Sequence, residues 1–254
     1  MSASRCCSLP RTSVTQLKSV KTYWWKGRAN FGDALAPLLL ERFAHLKAEW
    51  TPVQRAELFT IGSVLDTPGI HGNDKIILGS GKLRESSIGP YVGKYLAVRG
   101  PLTRPGLDVP YGDPGLLAEE LVTVKRRTHD LGILPHWSDD GLATDVRFTK
   151  YHPLIIDPSA DPLDVVAAIG SCHKIVTSSL HGAIVADSFG IPRRIEVAPR
   201  FAEGAEGGMF KFRDYNASVG VPHRIGLTQR AEKQNVETIQ HILFDLYDSL
   251  EDYL

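Results

Sequence analysis

The densest chemistry in the 254-residue sequence lies in Lys174-Ile-Val-Thr-Ser-Ser-Leu-His-Gly-Ala-Ile-Val-Ala-Asp-Ser-Phe-Gly-Ile-Pro192. An apolar run ends at Thr177, Ser178 and Ser179, and His181-Gly182 opens a helical pattern. Uncapped N–H groups at a helix start, with hydroxyls and an imidazole beside them, form a ready anion site. An isolated Ser-Ser-x-His more often does nothing beyond capping its helix, which would leave His181 structural. A related arrangement occurs upstream, where Gly132-Ile-Leu-Pro-His136-Trp137-Ser138-Asp139 sets His136 just past another apolar run. In a two-lobed protein His136 and His181 would face one cleft. There, imidazoles can serve as acid, base or anion partner near neutral pH. Taken alone, His136 fits a surface loop equally well.

The first half of the chain offers further candidates. Asn30-Phe31-Gly32-Asp33 falls between a strand and a helix, and Gly32 permits close backbone approach to a ligand. Leu78-Gly79-Ser80-Gly81-Lys82 superficially resembles a phosphate loop but lacks the Gly-x-x-x-x-Gly-Lys spacing, so Ser80 and Gly81 read as a small-residue turn lining the cleft. Arg99, in Val98-Arg-Gly-Pro-Leu-Thr103, offers a guanidinium suited to bidentate grip on carboxylate or phosphate. A surface ion pair is as good a reading of that arginine. Lys211 and Arg213, in Phe210-Lys-Phe-Arg-Asp214, add cations late in the chain, where a solvated helix face is the plainer reading. No spaced Cys or His pairs suggest a metal, and Cys6, Cys7 and Cys172 read as reduced thiols.

These residues need a frame. Short apolar runs alternating with helical patterns predict an α/β fold of two Rossmann-like lobes, with parallel sheets and a cleft between them. Strands are expected at 20–25, 58–61, 75–78, 95–98, 107–111, 131–134, 154–156, 174–177 and 193–197. Helices are expected after Asp33, over 162–169 and over 182–189, with Pro37 tolerable only in a first turn. Val236, Ile239, Leu243, Leu246 and Leu250 mark a C-terminal amphipathic helix, expected to complete the second lobe. The polar stretch 125–130 suggests a boundary, giving a tail over 1–17, one lobe over 18–127 and a second over 128–254. With 29 basic and 29 acidic residues the chain is formally neutral, which argues against a protein that coats nucleic acid. It has neither an apolar run of about 18 residues nor an apolar core in its first 17, so a cytoplasmic setting is expected.

Together, and in order, several of these segments resemble the polysaccharide pyruvyl transferase family, in its bacterial exopolysaccharide branch. The matching pieces are Asn30-Phe-Gly-Asp33, Ile61-Gly-Ser-Val-Leu65, Leu78-Gly-Ser-Gly81, Val98-Arg-Gly-Pro-Leu-Thr103, Gly112-Asp-Pro-Gly-Leu116, Leu134-Pro-His136, Ser179-Leu-His-Gly-Ala-Ile-Val-Ala-Asp187 and Phe210-Lys-Phe-Arg-Asp214. The resemblance implies a fold like that of GT-B transferases. It implies transfer of the pyruvyl group of phosphoenolpyruvate to two hydroxyls of one sugar, forming a cyclic ketal and releasing phosphate. No metal or organic cofactor is implied. By the same resemblance His181 is the acid/base, with His136 a second catalytic candidate. Ser178, Ser179, Gly182, Arg99 and Lys211 would hold the donor, while Asn30, Gly32, Asp33, Ser80 and Gly81 would face the acceptor or line the cleft. A lipid-linked acceptor would bring the protein to the inner membrane face. Two other classes share such a fold. A nucleotide-sugar glycosyltransferase would show paired carboxylates in its second lobe, whereas Glu203 and Glu206 sit in a Gly-rich loop. A glycan-binding protein without activity would have lost the cleft His and Arg residues.

Overall fold

The computed structural model describes residues 17–70, 74–85, 93–139, 141–197 and 208–254. Cys6, Cys7, Glu203, Glu206 and all but Leu17 of the expected tail lie outside them. The chain runs through β1 (Lys18–Thr22), α1 (Phe31–Phe43), β2 (Leu46–Trp50), β3 (Leu58–Phe59), β4 (Ile76–Leu78) and β5 (Lys94–Ala97). These five strands make one parallel sheet in the order β2-β1-β3-β4-β5. A 3-10 segment, Pro114–Leu121, leads toward the second sheet. There β6 (Gly132–Leu134), α2 (Val146–Thr149), β7 (Leu154–Ile155), α3 (Pro162–Gly170), β8 (Ile175–Thr177), α4 (Leu180–Ser188), β9 (Arg193–Ile195), α5 (Phe210–Ser218) and β10 (Thr228–Gln229) follow, and α6 (Lys233–Asp248) comes last. The second sheet has the order β10-β9-β8-β6-β7, with only the β9–β10 pair antiparallel. The α/β class with two parallel-dominated sheets is therefore as the sequence implies.

Both sheets share one winding pattern. β1 is flanked by β2 and β3, and β6 is flanked by β7 and β8. The connections therefore leave β1 and β3 in opposite directions, and so do those leaving β6 and β8. A crevice opens at such a switch point beyond the carboxyl ends of the strands, and open parallel sheets bind ligands there. Two such crevices, one per sheet, set the position of the site.

Several expectations are corrected. The 107–111 segment contributes only a bridge between Val98 and Tyr111, because Pro110 has no N–H to extend a ladder. Pro37 lies in the interior of α1, not in its first turn, because Asn30 caps the helix and starts it at Phe31. The interior proline costs about 3 kcal/mol. Burial of Phe31, Leu35, Ala36, Leu39 and Leu40 offsets that, at about 1.5–3 kcal/mol for each large side chain. The C-terminal helix also docks elsewhere. Rather than closing the second lobe, α6 lies on the first, with the Phe43 ring edge-on to Phe244 and Tyr247 at 5.1 and 6.3 Å. The Gln240 amide of α6 donates to the Leu116 carbonyl at 2.8 Å. All nine residues of α4 are buried, so this helix has no solvent face and is packed between the two halves.

Candidate active site

A cavity of about 570 Å³ lies where the two crevices meet. Its wall takes Tyr23, Trp25, Asn30 and Asp33 from the chain leaving β1, and Ser63, Asp66 and Thr67 from the chain leaving β3. From the second sheet it takes His136 and Trp137 after β6, then Ser179, Leu180 and His181 after β8. Lys211 enters from α5.

The start of α1 is built around Asn30. Its Oδ1 accepts from the Gly32 N–H at 3.2 Å, capping the helix, while its Nδ2 donates to Asp33 Oδ2. Burial pushes the Asp33 carboxyl up to about 7, and its neighbour Asp113 adds to the shift; Lys211 and the Asn30 amide oppose it. Gly32 itself stands behind the wall. A methyl group there would fall 2.0 Å from His181 Nδ1, so the bare glycine is what lets the imidazole pack on α1. Phe31 meets the same ring edge-on at 6.5 Å.

The start of α4 supplies the facing wall. Ser179 caps it, accepting from the Gly182 N–H at 3.4 Å. Burial drives the His181 pKa down to about 3, helped by the charges of Lys211 and Arg99. His181 is therefore neutral at pH 7, and its Nε2 is buried with no hydrogen-bond partner among the described residues. His136 is likewise held neutral, with burial and then Lys211 lowering it to about 4. Its backbone N–H donates to Ser178 Oγ at 2.8 Å, and its Nδ1 lies 2.7 Å from Ser138 Oγ. Lys211 is thus the cation whose field reaches Asp33, His136 and His181 alike.

Of the residues singled out in the sequence, Asn30, Asp33, His136, Ser179, His181 and Lys211 meet at the cavity, and the others support it from behind. Arg99 is fully buried and spoken for. Its Nε donates to Asp214 Oδ2 at 2.9 Å, its Nη1 to Ser63 Oγ at 2.6 Å and its Nη2 to the Lys82 carbonyl at 2.6 Å. It holds protein partners where a donor-gripping side chain was expected. A Cβ on Gly81 would fall 2.3 Å from Arg99 Cζ, and one on Gly182 would fall 2.5 Å from Thr177 Oγ1; both glycines serve packing. The Ser80 hydroxyl is buried without a partner among the described residues, and Ser80 is not part of the cavity wall. Ser178 holds the His136 backbone.

Sequence reading missed the aromatic side of the site. The indoles of Trp25 and Trp137 stack at 5.6 Å with 26° between planes, one from each half of the chain. The available signal was a tryptophan just past the ends of two strands that lead into the cleft. Asp66 was also missed; its carboxylate fixes the opposite lip by accepting the N–H groups of Leu83 and Arg84 at 3.0 Å. Among the described residues no group of three or more His, Cys, Asp or Glu could hold a metal ion. Cys172 is a buried free thiol, raised to about 11 by burial.

Twin sheets that turn their switch points onto one cavity define a two-lobed α/β protein with a cleft between the lobes. The chain belongs to the polysaccharide pyruvyl transferase family. The family's sequence profile matches residues 94–194, spanning β5 to β9. Over 237 residues the chain is 30% identical to the succinoglycan biosynthesis protein ExoV of Rhizobium meliloti (strain 1021), covering 84% of this chain and 70% of that protein. It is also 27% identical over 196 residues to an uncharacterised protein of Acanthamoeba polyphaga mimivirus, covering 70% of this chain and 67% of that protein. No solved structure matches the chain. Among the described residues no helix is long and apolar enough to cross a membrane.

Proposed function

We propose that the protein transfers the pyruvyl group of phosphoenolpyruvate to two hydroxyls of one sugar in a polysaccharide or its precursor, forming a cyclic ketal and releasing phosphate. The observation that carries this reading is the convergence of Lys211, the start of α4, two neutral imidazoles and the raised Asp33 carboxyl on one cavity. The donor brings a phosphate and a carboxylate. Lys211 and the first-turn N–H groups of α4 suit those charges.

The chemistry needs a proton on the methylene carbon. Near neutrality Asp33 supplies it, because a carboxyl raised to about 7 is still substantially protonated there. Protonation leaves an oxocarbenium-like carbon, which a sugar oxygen attacks. The hydroxyl proton goes to Nε2 of His181, which as a neutral imidazole can accept it and hand it on. The C–O bond to phosphate then breaks, Lys211 stabilises the leaving dianion, and the second hydroxyl closes the ketal. Of the two hydroxyl protons, one restores Asp33 and the other leaves with phosphate. Of the acid and base roles expected of His181, this reading keeps the base. An imidazole with a pKa of about 3 carries no proton to donate at pH 7, and a hydroxyl adding to an oxocarbenium-like carbon is acidic enough for so weak a base.

The decisive experiment incubates the protein with phosphoenolpyruvate and candidate glycans, measuring phosphate release and the mass of the glycan. A pyruvyl ketal adduct formed in step with phosphate is the expected result. Phosphate release without adduct, or neither product across a broad acceptor panel, would overturn the reading.

A further inference from the structure

We infer that the stacked pair Trp25 and Trp137 is a sugar-binding platform, assembled from both lobes, that takes a pyranose ring of the acceptor glycan. The inference deepens the proposed pyruvyl transfer and rests on it for the identity of the acceptor. Both indoles line the cavity and neither is fully buried. Each is held on protein: the Trp25 ring lies across the backbone of Gly27, where a Cβ would fall 2.5 Å from its Cζ2, and Trp137 packs on the His136 ring at 5.0 Å. The Arg28 guanidinium lies 5.1 Å over the Trp137 ring, which further fixes its tilt.

A sugar suits this wall. A pyranose has an apolar face of C–H groups and an edge of hydroxyls, so it calls for an aromatic surface beside hydrogen-bonding groups. The cavity provides both, with the indoles on one flank and the side chains of Asn30, Ser63, Asp66 and Thr67 on another. Indoles also bury large areas with little loss of side-chain freedom. A cavity of about 570 Å³ far exceeds what a three-carbon phosphorylated acid fills, leaving space for a sugar next to it. Because Trp25 follows β1 and Trp137 follows β6, the platform exists only when the two lobes are together.

The test titrates short β-glucan and β-galactan oligosaccharides against the full chain, reading tryptophan fluorescence and calorimetry. Saturable binding is expected, weakened about tenfold in Trp25→Ala and in Trp137→Ala, the scale of one lost ring contact. Trp137→Phe should keep most of the affinity, and the thermal shift given by phosphoenolpyruvate should persist in all three. Should an alanine variant fail to fold, Trp25→Leu and Trp137→Leu keep apolar bulk without the ring, and the same loss is expected. Wild-type affinity in the folded variants, or no binding of any oligosaccharide by the wild type, would overturn the platform. If phosphoenolpyruvate produces neither a thermal shift nor an adduct while tryptophan-dependent sugar binding remains, the donor reading falls and the platform stands.

Discussion

Arg99 and Asp214, 115 residues apart in sequence, meet through a 2.9 Å Nε–Oδ2 bond with neither side chain exposed. The other Asp214 oxygen accepts the N–H groups of Leu102 and Thr103, both at 2.9 Å. Helix α5 is thereby tied to the first lobe. Its next two residues tie it to the second, since the Tyr215 hydroxyl donates to Asp187 Oδ2 at 2.9 Å and Asn216 Oδ1 accepts from Arg193 Nη2 at 2.7 Å. One helix thus spans the lobes, and Lys211 is carried one turn upstream of both ties. Fixing α5 fixes the cation of the site.

Arg99 is therefore a positioning residue, and its loss has a distinct signature. Arg99→Ala should destabilise the protein by about 3–5 kcal/mol, because Asp214 would remain buried and uncompensated. Arg99→Lys should recover only part of this, since one ammonium cannot reach Asp214, Ser63 and the Lys82 carbonyl together. Urea unfolding measures the stability. With Lys211 released, the Asp33 pKa should rise, moving the alkaline limb of kcat/KM upward. A raised KM for phosphoenolpyruvate at unchanged stability would instead make Arg99 a donor ligand.

Asp33→Asn should lower kcat by about 10²- to 10⁴-fold, the usual contribution of a general acid, while phosphoenolpyruvate still binds. The sign of the pH dependence follows from the protonated form being active. In the wild type kcat/KM should fall as pH rises through about 7. The limb in kcat should lie higher still, because a bound anionic donor opposes ionisation of Asp33. The variant should lose this limb altogether. A pH–rate profile that keeps the same limb in Asp33→Asn would assign it to another group.

How much of this was legible in the sequence depends on whether neighbours in the chain were enough. The loops after β1, β6 and β8 could be read because strand, cap and chemistry sit together, as in Asn30-Phe-Gly-Asp33 or Ser179-Leu-His181. Strand β2 was invisible because it is an edge strand whose sequence, Leu-Lys-Ala-Glu-Trp, buries only Leu46. Taken locally the 210–214 segment reads as a solvated helix face, and only the family resemblance brought Lys211 to the site. Phe210, Phe212 and Asp214 are in fact buried, because the partner of Asp214 comes from the other lobe. Local pattern reports a helix face but not a contact more than a hundred residues away. The stack of Trp25 on Trp137 was hidden for the same reason.

Asp113 allows a test of the buried charges by stability. Burial raises its carboxyl to about 7, with the Gly115 N–H and Arg99 opposing. A folded-state pKa above the unfolded value of 3.8 means the folded protein holds a proton that the unfolded chain has lost. Stability from this group is therefore full at low pH and lost as pH climbs toward about 7. His136 and His181, depressed to about 4 and 3, act oppositely and lose stability as pH falls below 6.5. Asp113→Asn keeps an oxygen for the Gly115 N–H, which now donates to Oδ1 at 2.9 Å, and removes the titration. Relative to wild type its unfolding free energy should gain about 1.4 kcal/mol per pH unit between pH ~4 and ~7. Urea titrations across that range measure the difference, and parallel curves for the two proteins would count against it.

Gly32 and Gly182 separate chemistry from packing. In Gly32→Ala the new methyl would overlap His181 Nδ1 at 2.0 Å and Cβ at 2.5 Å, so the imidazole must leave its place on α1. That displacement moves Nε2 relative to Asp33 and opens the packing that keeps the ring neutral. A misplacement of about 1 Å at reacting groups can cost 10²-fold in rate. The expected variant has a kcat at least that much lower and a His181 titration moved up from about 3 toward the ordinary range, visible in imidazole proton shifts by NMR. In Gly182→Ala the methyl instead meets Thr177 Oγ1 at 2.5 Å and Leu134 Cδ2 at 2.6 Å, forcing α4 off the sheet. Its main effect should be overpacking, about 1–3 kcal/mol of lost stability. A Gly32→Ala protein that keeps wild-type kcat although its His181 signal has moved would remove His181 from the reaction.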